Sequence, residues 1–288
     1  MTLALLTAFL FGCAAYPAKR LAEDGWSEYS LLFVNFAIGF VPLLGATLLW
    51  GEWTFSDDFW LAFPVVIVGN LIAVTSYYRA MKMSELSIVM PLVSLSPVFM
   101  IVTSRIIVNE SLSNAGVAGV VLVVAGAYFL GCSKDRGTLM APFRALLRDK
   151  GAQWALLVSF IWSITANFDK VCVLNSNPLA YPTLFSIVMA FVSVPILWRV
   201  NRFQEIRNLR ADPNINVAVL GLLYGSMLAC QMSAVAVMAV PYVIAIKRAG
   251  LLVGVIVGIA RKEDGLFWRI LGSLFVLSGV CVILIWGR

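Results

Sequence analysis

The chain is written as long apolar runs separated by short polar interruptions. Ten runs stand out, at 1–18, 30–50, 59–78, 86–108, 115–132, 154–173, 181–198, 215–238, 240–260 and 266–286. Each approaches the roughly 20 apolar residues that a helix needs to cross the hydrocarbon core of a bilayer. Within lipid the backbone must satisfy its own hydrogen bonds, so each run is expected to be a helix. The first run has no basic stretch ahead of it and no small-residue cleavage site, and reads as a retained helix rather than a signal peptide. No interruption is long enough for a soluble domain. The longest, 133–153, divides the chain near its midpoint into segments 1–132 and 154–288.

The run 240–260, VPYVIAIKRAGLLVGVIVGIA, carries two adjacent cations near its middle, Lys247 and Arg248, and no Asp or Glu. On insertion scales each such charge costs about 2.5 to 3.5 kcal/mol, and charges so placed usually face a bundle interior or a water-filled cavity. Two readings compete. The pair is a buried, solvated site for an anion, or its side chains snorkel to one interface or bond carbonyls of a broken helix. The site reading is favoured. Arg offers a planar fork that fits carboxylate or phosphate oxygens, and Lys adds a compact charge.

Composition narrows the class. Hydrophobic residues make up 61% of the chain and charged residues 12%, against about 25% charged in a soluble domain. A multi-pass protein of the cell membrane follows, in the inner membrane if the organism is Gram-negative. The net charge of +6 is not a nucleic-acid signal once it is counted loop by loop. With ten spans, sixteen Lys and Arg fall on one side and only Arg105, Lys170 and Arg288 on the other. Basic loops stay cytoplasmic, so both termini are expected outside the cytoplasm. Histidine is absent, which removes its metal ligation and its neutral-pH proton shuttle. The five cysteines lie in or at the ends of apolar runs without close pairing, as buried free thiols would. No metal and no cofactor is expected. Nearly all carboxylates sit in loops or at span ends; Asp169 is the most membrane-proximal, and it is expected to pair with adjacent Lys170. Two uncompensated interior cations without a comparable acid argue for exchange or facilitated transport without proton coupling, and against a cation-expelling pump.

The two halves echo each other. Glu110, Gly119 and Gly126 recur as Glu263, Gly272 and Gly279 at one offset of 153, and Phe11-Gly12 with Lys19 recurs as Trp162-Ser163 with Lys170 at 151. Five runs per half make the second half enter the membrane upside down relative to the first. Such inverted repeats place substrate near the midplane between the halves. The fold expected is therefore all-α and integral to the membrane: ten helices in two inverted five-helix repeats around a central cavity. The glycines are expected to serve close helix packing, and Glu110 and Glu263 to cap the helices that follow them.

The stretch SELSIVMPLVSLSPVF, the NESL around Glu110 and the spacing from Gly12 to Lys19 carry a family resemblance. The chain resembles the EamA branch of the drug/metabolite transporter superfamily over essentially its whole length. The second half keeps the late part of the signature, from Lys247 through Glu263, and lacks counterparts of Pro91 and Pro97. The resemblance implies two inverted repeats around a cavity and transport of small polar metabolites. In the sugar-phosphate/phosphate translocators of the same superfamily, a Lys–Arg pair on the ninth helix holds phosphate, with a tyrosine on the eighth. The matching positions here are Lys247, Arg248 and Tyr224.

Polar and aromatic residues inside other runs are candidates to complete the cavity: Asn70, Ser76 and Tyr77, Ser94 and Ser96, Trp162 and Asn167, and Gln231. By the offset of 153, Ser94 is the repeat partner of Lys247. Taken singly, each is as readily an interhelical hydrogen bond. The function expected is a secondary transporter, working by alternating access, for a small metabolite with a carboxylate or phosphate, anionic or zwitterionic. An exporter of amino acids is the alternative. An integral-membrane enzyme would need a histidine or an acidic cluster, and neither is found. The partners expected are the metabolite and the lipid bilayer, with no nucleic acid, and a monomer suffices.

Overall fold

The protein is described by a computed structural model at residues 1–84, 86–131, 143, 146–208, 214–260 and 266–287. Among the described residues every regular element is helical: α1 (Thr2–Glu23), α2 (Glu28–Trp50), α3 (Asp57–Met83), α4 (Leu86–Val93), α5 (Ser96–Ile107), α6 (Asn114–Gly131), α7 (Lys150–Leu174), α8 (Ala180–Arg199), α9 (Phe203–Asn208), α10 (Ile215–Val237), α11 (Val240–Arg248), α12 (Leu251–Ala260) and α13 (Leu266–Trp286). Seven stretches are long and apolar enough to cross a membrane, among them Ile88–Ile107, which runs through α4 and α5. Thr2–Ala18 and Asn114–Leu130 are apolar but shorter.

Helix starts follow ordinary capping. Ser27 accepts from Ser30 N, Asp149 from Gly151 N and Ala152 N, and Asn214 from Asn216 N, each giving an otherwise orphaned donor a partner. Asp149 also accepts from Ser84 Oγ, which ties the end of α3 to the start of α7. The short α9 is held to α2 by Glu205, whose carboxylate accepts from Ser27 N at 2.9 Å and Ser27 Oγ at 3.0 Å. Partial burial pushes that carboxyl up, but these donors, with Ser30 and Arg202, outweigh it and hold it below the usual carboxylate range.

Helices pair across the two halves of the chain. α1 lies on α10, α3 on α7, α6 on α13, and α2 on α8 and α10. Glycines set the closest approaches. A Cβ on Gly119 would meet Gly279 O at 2.9 Å, and one on Gly126 would meet Gly272 O at 2.6 Å. The four glycines singled out by their repeat spacing thus meet crosswise along α6 and α13, as packing residues. α11 sits in the largest core cluster, among α1, α5, α6, α7, α10 and α13, and every residue from Val240 to Ile246 is buried.

Two runs read as single helices are each broken. The run 86–108 breaks between α4 and α5, where Leu95 N bonds Leu92 O and Ser94 Oγ bonds Pro91 O at 2.6 Å. Pro97, without an N–H, fits the first turn of a new helix, where that donor would have no partner. The run 240–260 breaks after Arg248, where Ala249 N bonds Ile246 O and Gly250 N bonds Lys247 O, three residues back rather than four. Such tightened turns inside a helix often mark functional sites or hinges. Gly250 is required there, because a Cβ would lie 2.3 Å from Ala8 O of α1.

Glu110 corrects a second expectation. The chain leaves α5 through Asn109 at φ 53°, a left-handed conformation that Asn tolerates. Glu110 then reaches to α11, not α6: Oε2 accepts from Val240 N at 3.0 Å. The same carboxylate pairs with Lys170 Nζ at 2.6 Å, and Lys170 also donates to Met238 O at 2.9 Å. Ser113 starts α6 instead, its Oγ accepting from Gly116 N at 3.0 Å. Glu263 and Cys132 lie outside the described residues, as does most of the connection between the two halves.

Candidate functional site

α11 delivers its two cations at its C-terminal end, directly before the break. Consecutive helical residues point about 100° apart, and the pair diverges accordingly. Lys247 Nζ donates to Gln231 Oε1 of α10 at 2.8 Å and stands 5.1 Å from the centre of the Phe11 ring of α1. Arg248 turns toward the first half. Its Nη2 donates to Ser96 Oγ at 3.0 Å and reaches Val93 O at 3.4 Å. Val93 is the last residue of α4 and Ser96 the first of α5, so the guanidinium straddles one helix break from the edge of another. A C-terminal helix end, with its orphaned carbonyls, attracts a cation. Neither cation snorkels, but Arg248 does bond a carbonyl at a broken helix, as the competing reading allowed.

The partners bonded directly to both cations are neutral. Arg248 Nε is buried with no hydrogen-bond partner among the described residues. The two cations repel each other, and Lys247 is drawn to the carboxylate of Asp169. Asp169 overturns an expectation from the sequence: it does not pair with Lys170, which is committed to Glu110. It accepts the hydroxyl of Tyr181 from α8 and lies within electrostatic reach of Tyr224 and Lys247. The interior therefore holds an acid, and the premise of two uncompensated cations falls.

The other candidates divide. Tyr77 belongs to the Arg248 side: it lies within electrostatic reach of Arg248, its hydroxyl meets Met90 Sδ at 3.7 Å and its ring lies 5.7 Å from Trp162. Tyr224 belongs to the Asp169 side, with its ring edge-on to Phe36 at 5.4 Å. Ser94 is turned back on its own helix at Pro91 O, and Ser96 takes the place expected of it. Asn70 donates to Val66 O of its own helix at 3.0 Å. Asn167 braces α7 against α5 through Thr103 Oγ1 at 2.9 Å. The Val93 carbonyl and Tyr181 were not singled out from the sequence, and Phe11 was noted there only as a repeat position. An apolar ring, a backbone oxygen and a tyrosine at a span edge carry no signal until the helices are packed.

A bundle of apolar helices with a cation pair at a mid-run break defines a multi-pass membrane protein. The profile of the EamA-like transporter family matches residues 1–132 and 149–285, and the chain belongs to that family. No curated protein matches it. Among solved structures, one titled "Crystal structure of protein" shares 15% identity with a TM-score of 0.75, over 100% of this chain and 96% of the other. At that identity the likeness concerns the fold alone.

Proposed function

We propose that the protein is an alternating-access transporter for a small metabolite bearing a carboxylate or phosphate, with Lys247 and Arg248 as its anion clamp. One observation carries the reading. Both cations are inside the bundle, yet Lys247 bonds Gln231, Arg248 bonds Ser96 and Val93, and Arg248 keeps a buried donor unused. Both side chains are partly buried; charge withdrawn from water without a directly bonded counterion is costly, and an incoming anion relieves that cost. Tyr77 and Tyr224 flank the two sides.

The architecture proposed is ten passes in two inverted halves, 1–132 and 154–288, joined by 133–153. Three features support it. α4–α5 and α11–α12 are broken at corresponding places in the two halves, the arrangement that points to binding sites in inverted-repeat transporters. Exchanging the halves turns the α1–α10 packing into α7–α3, and leaves α6–α13 and α2–α8 as they are. The glycine pairs of α6 and α13 exchange in the same way. The basic loops put both termini outside the cytoplasm; reporter fusions after residue 287 that read cytoplasmic would reject this orientation.

The deciding experiment is uptake into liposomes by the purified protein, against a panel of inorganic phosphate, sugar phosphates, mono- and dicarboxylates, amino acids and organic cations. Anions or zwitterions should be taken up, and Lys247→Ala and Arg248→Ala should each suppress it. Best transport of a cation, or normal rates in both variants, would sink the clamp. Amino acids leading the panel would favour the exporter reading.

A further inference from the structure

Asp169 is an interior carboxylate that the anion clamp does not use. Its neighbour Lys170 points to another face of α7 and spends its ammonium on Glu110 and Met238 O. Asp169 accepts from Tyr181 of α8 and faces Tyr224 of α10, Lys247 of α11 and, on its own helix, Cys172. Among the described residues, α3, α4 and α5, also packed on α7, add no ionisable partner to it. Lys247 is thus shared. It bonds a neutral amide, lies within electrostatic reach of Asp169, and forms the clamp together with Arg248.

We infer that Asp169 is a proton-binding site coupled through Lys247 to the clamp, so that the transporter carries its anion together with a proton. The inference rests on the clamp reading for the anion and on Asp169's own surroundings for the proton. While the clamp is empty, Lys247 stabilises the Asp169 carboxylate. An anion bound at Lys247 and Arg248 sets a second negative charge against the same ammonium. Two anions sharing one cation are relieved when one takes up a proton. A strongly acidic cargo cannot take it; Asp169 can, drawing it from water on the open side. The protonated carboxyl keeps its bond to Tyr181, because a phenol both donates and accepts. The coupling is reciprocal: whatever the anion adds to proton affinity, the proton adds to anion affinity. Lys247, Arg248 and ionised Asp169 sum to one positive charge, and a bound monoanion with a proton leaves that sum unchanged. Loaded and empty sites then cross between states with the same charge.

The proton site can be tested without an identified cargo. Infrared titration of the protein in liposomes, following the carbonyl stretch of protonated carboxyls, should show a titrating carboxyl that Asp169→Asn removes. Lys247→Gln should keep it protonated to a pH about one unit higher, a tenfold change in proton affinity. Tyr181→Phe, which retains the carboxylate, should displace the same band in the same direction and serves if Asp169→Asn does not fold. A band indifferent to all three changes overturns the inference. In transport, an inward acid gradient should speed uptake of the best anion of the panel several-fold. Asp169→Asn should lose that response and keep exchange. Loss of exchange as well would make Asp169 a ligand for the cargo's own ammonium, and the proton role would fall. Failure of the clamp shows instead in Lys247→Ala and Arg248→Ala, so the two failures are read from different variants.

Discussion

Lys170 and Lys247 are both interior lysines in long apolar runs, and they are treated in opposite ways. Lys170 meets Glu110 at 2.6 Å with side chains only 13% and 10% exposed, and it also donates to Met238 O. Glu110 completes the knot by capping α11 at Val240 N. The two charges there are paired, and both carboxylate oxygens of Glu110 accept hydrogen bonds. At the other end of the same nine-residue helix, Lys247 bonds an amide and, among the described residues, no carboxylate, and lies over an aromatic ring. One end of α11 is saturated; at the other, among the described residues, the cations bond neutral groups. A saturated ion pair holds structure, because removing one partner strands the other. On the proposed reading, the unsaturated end is where a transient anion would bind.

The comparison would break first on stability. Glu110→Ala leaves Lys170 buried without its carboxylate and α11 without its cap, and should cost about 3 to 5 kcal/mol. Thermal unfolding in detergent reads this, and Lys170→Ala should lose a similar amount. If either unfolds at the wild-type temperature, the knot is not structural.

The next largest effect belongs to the clamp, and it should appear in transport rather than stability. Lys247→Ala and Arg248→Ala should each reduce uptake on the order of a hundredfold, the scale for truncating one partner of a buried charged contact. Their melting temperatures should stay level or rise, since each change removes a costly buried charge. Unfolded protein from either variant would put the cations with Lys170 instead.

Arg248→Lys sharpens the point within the clamp. It keeps the charge but loses the planar fork that spans Ser96 Oγ and Val93 O. About a tenfold fall in uptake is expected, between wild type and Arg248→Ala, corresponding to about 1.4 kcal/mol. Wild-type rates would mean that charge alone suffices.

The smallest effect lies at the surface, at Glu205. Its carboxyl is held below its ordinary range by donors that outweigh its burial. Such a group contributes stability above its unfolded-state pKa, and the contribution is lost as pH falls through the lower folded-state value. Solvent screens it, so the effect is small. Glu205→Gln should flatten this part of the acid limb of a stability profile; an unchanged limb would show that the α2–α9 tie carries no pH-dependent stability.

Much of this was legible in the chain and some could not be. The offset that links Gly119 and Gly126 to Gly272 and Gly279 pointed to packing, and those glycines meet across α6 and α13. Lys247 and Arg248 were visible because charge is rare in a run of that hydropathy. The breaks at Leu95 and Ala249 were not visible, although Pro97 and Gly250 stand beside them, since proline and glycine also occur in unbroken membrane helices. Glu110 was misread because sequence proximity favours the next helix, whereas a turn at Asn109 carries the side chain elsewhere. Asp169 was misread for the same reason. Adjacent residues of a helix face different neighbours, so Asp169 and Lys170 find partners on α8 and in the loop after α5 rather than in each other.

Hydrophobicity and the cost of buried backbone made helices of the long apolar runs whatever their neighbours, and the composition alone placed the chain in a membrane. The rarity of intramembrane charge alone drew attention to Lys247 and Arg248. Which groups those cations touch was decided by tertiary packing. Gly250 lets the turn after Arg248 pack against α1, and the second break offers the guanidinium Val93 O and Ser96 Oγ. Packing of α7 against α8, α10 and α11 brings an acid to the same interior. Periodicity along a chain tells which face of a helix is apolar; only the assembled bundle tells which partner each polar group is left with.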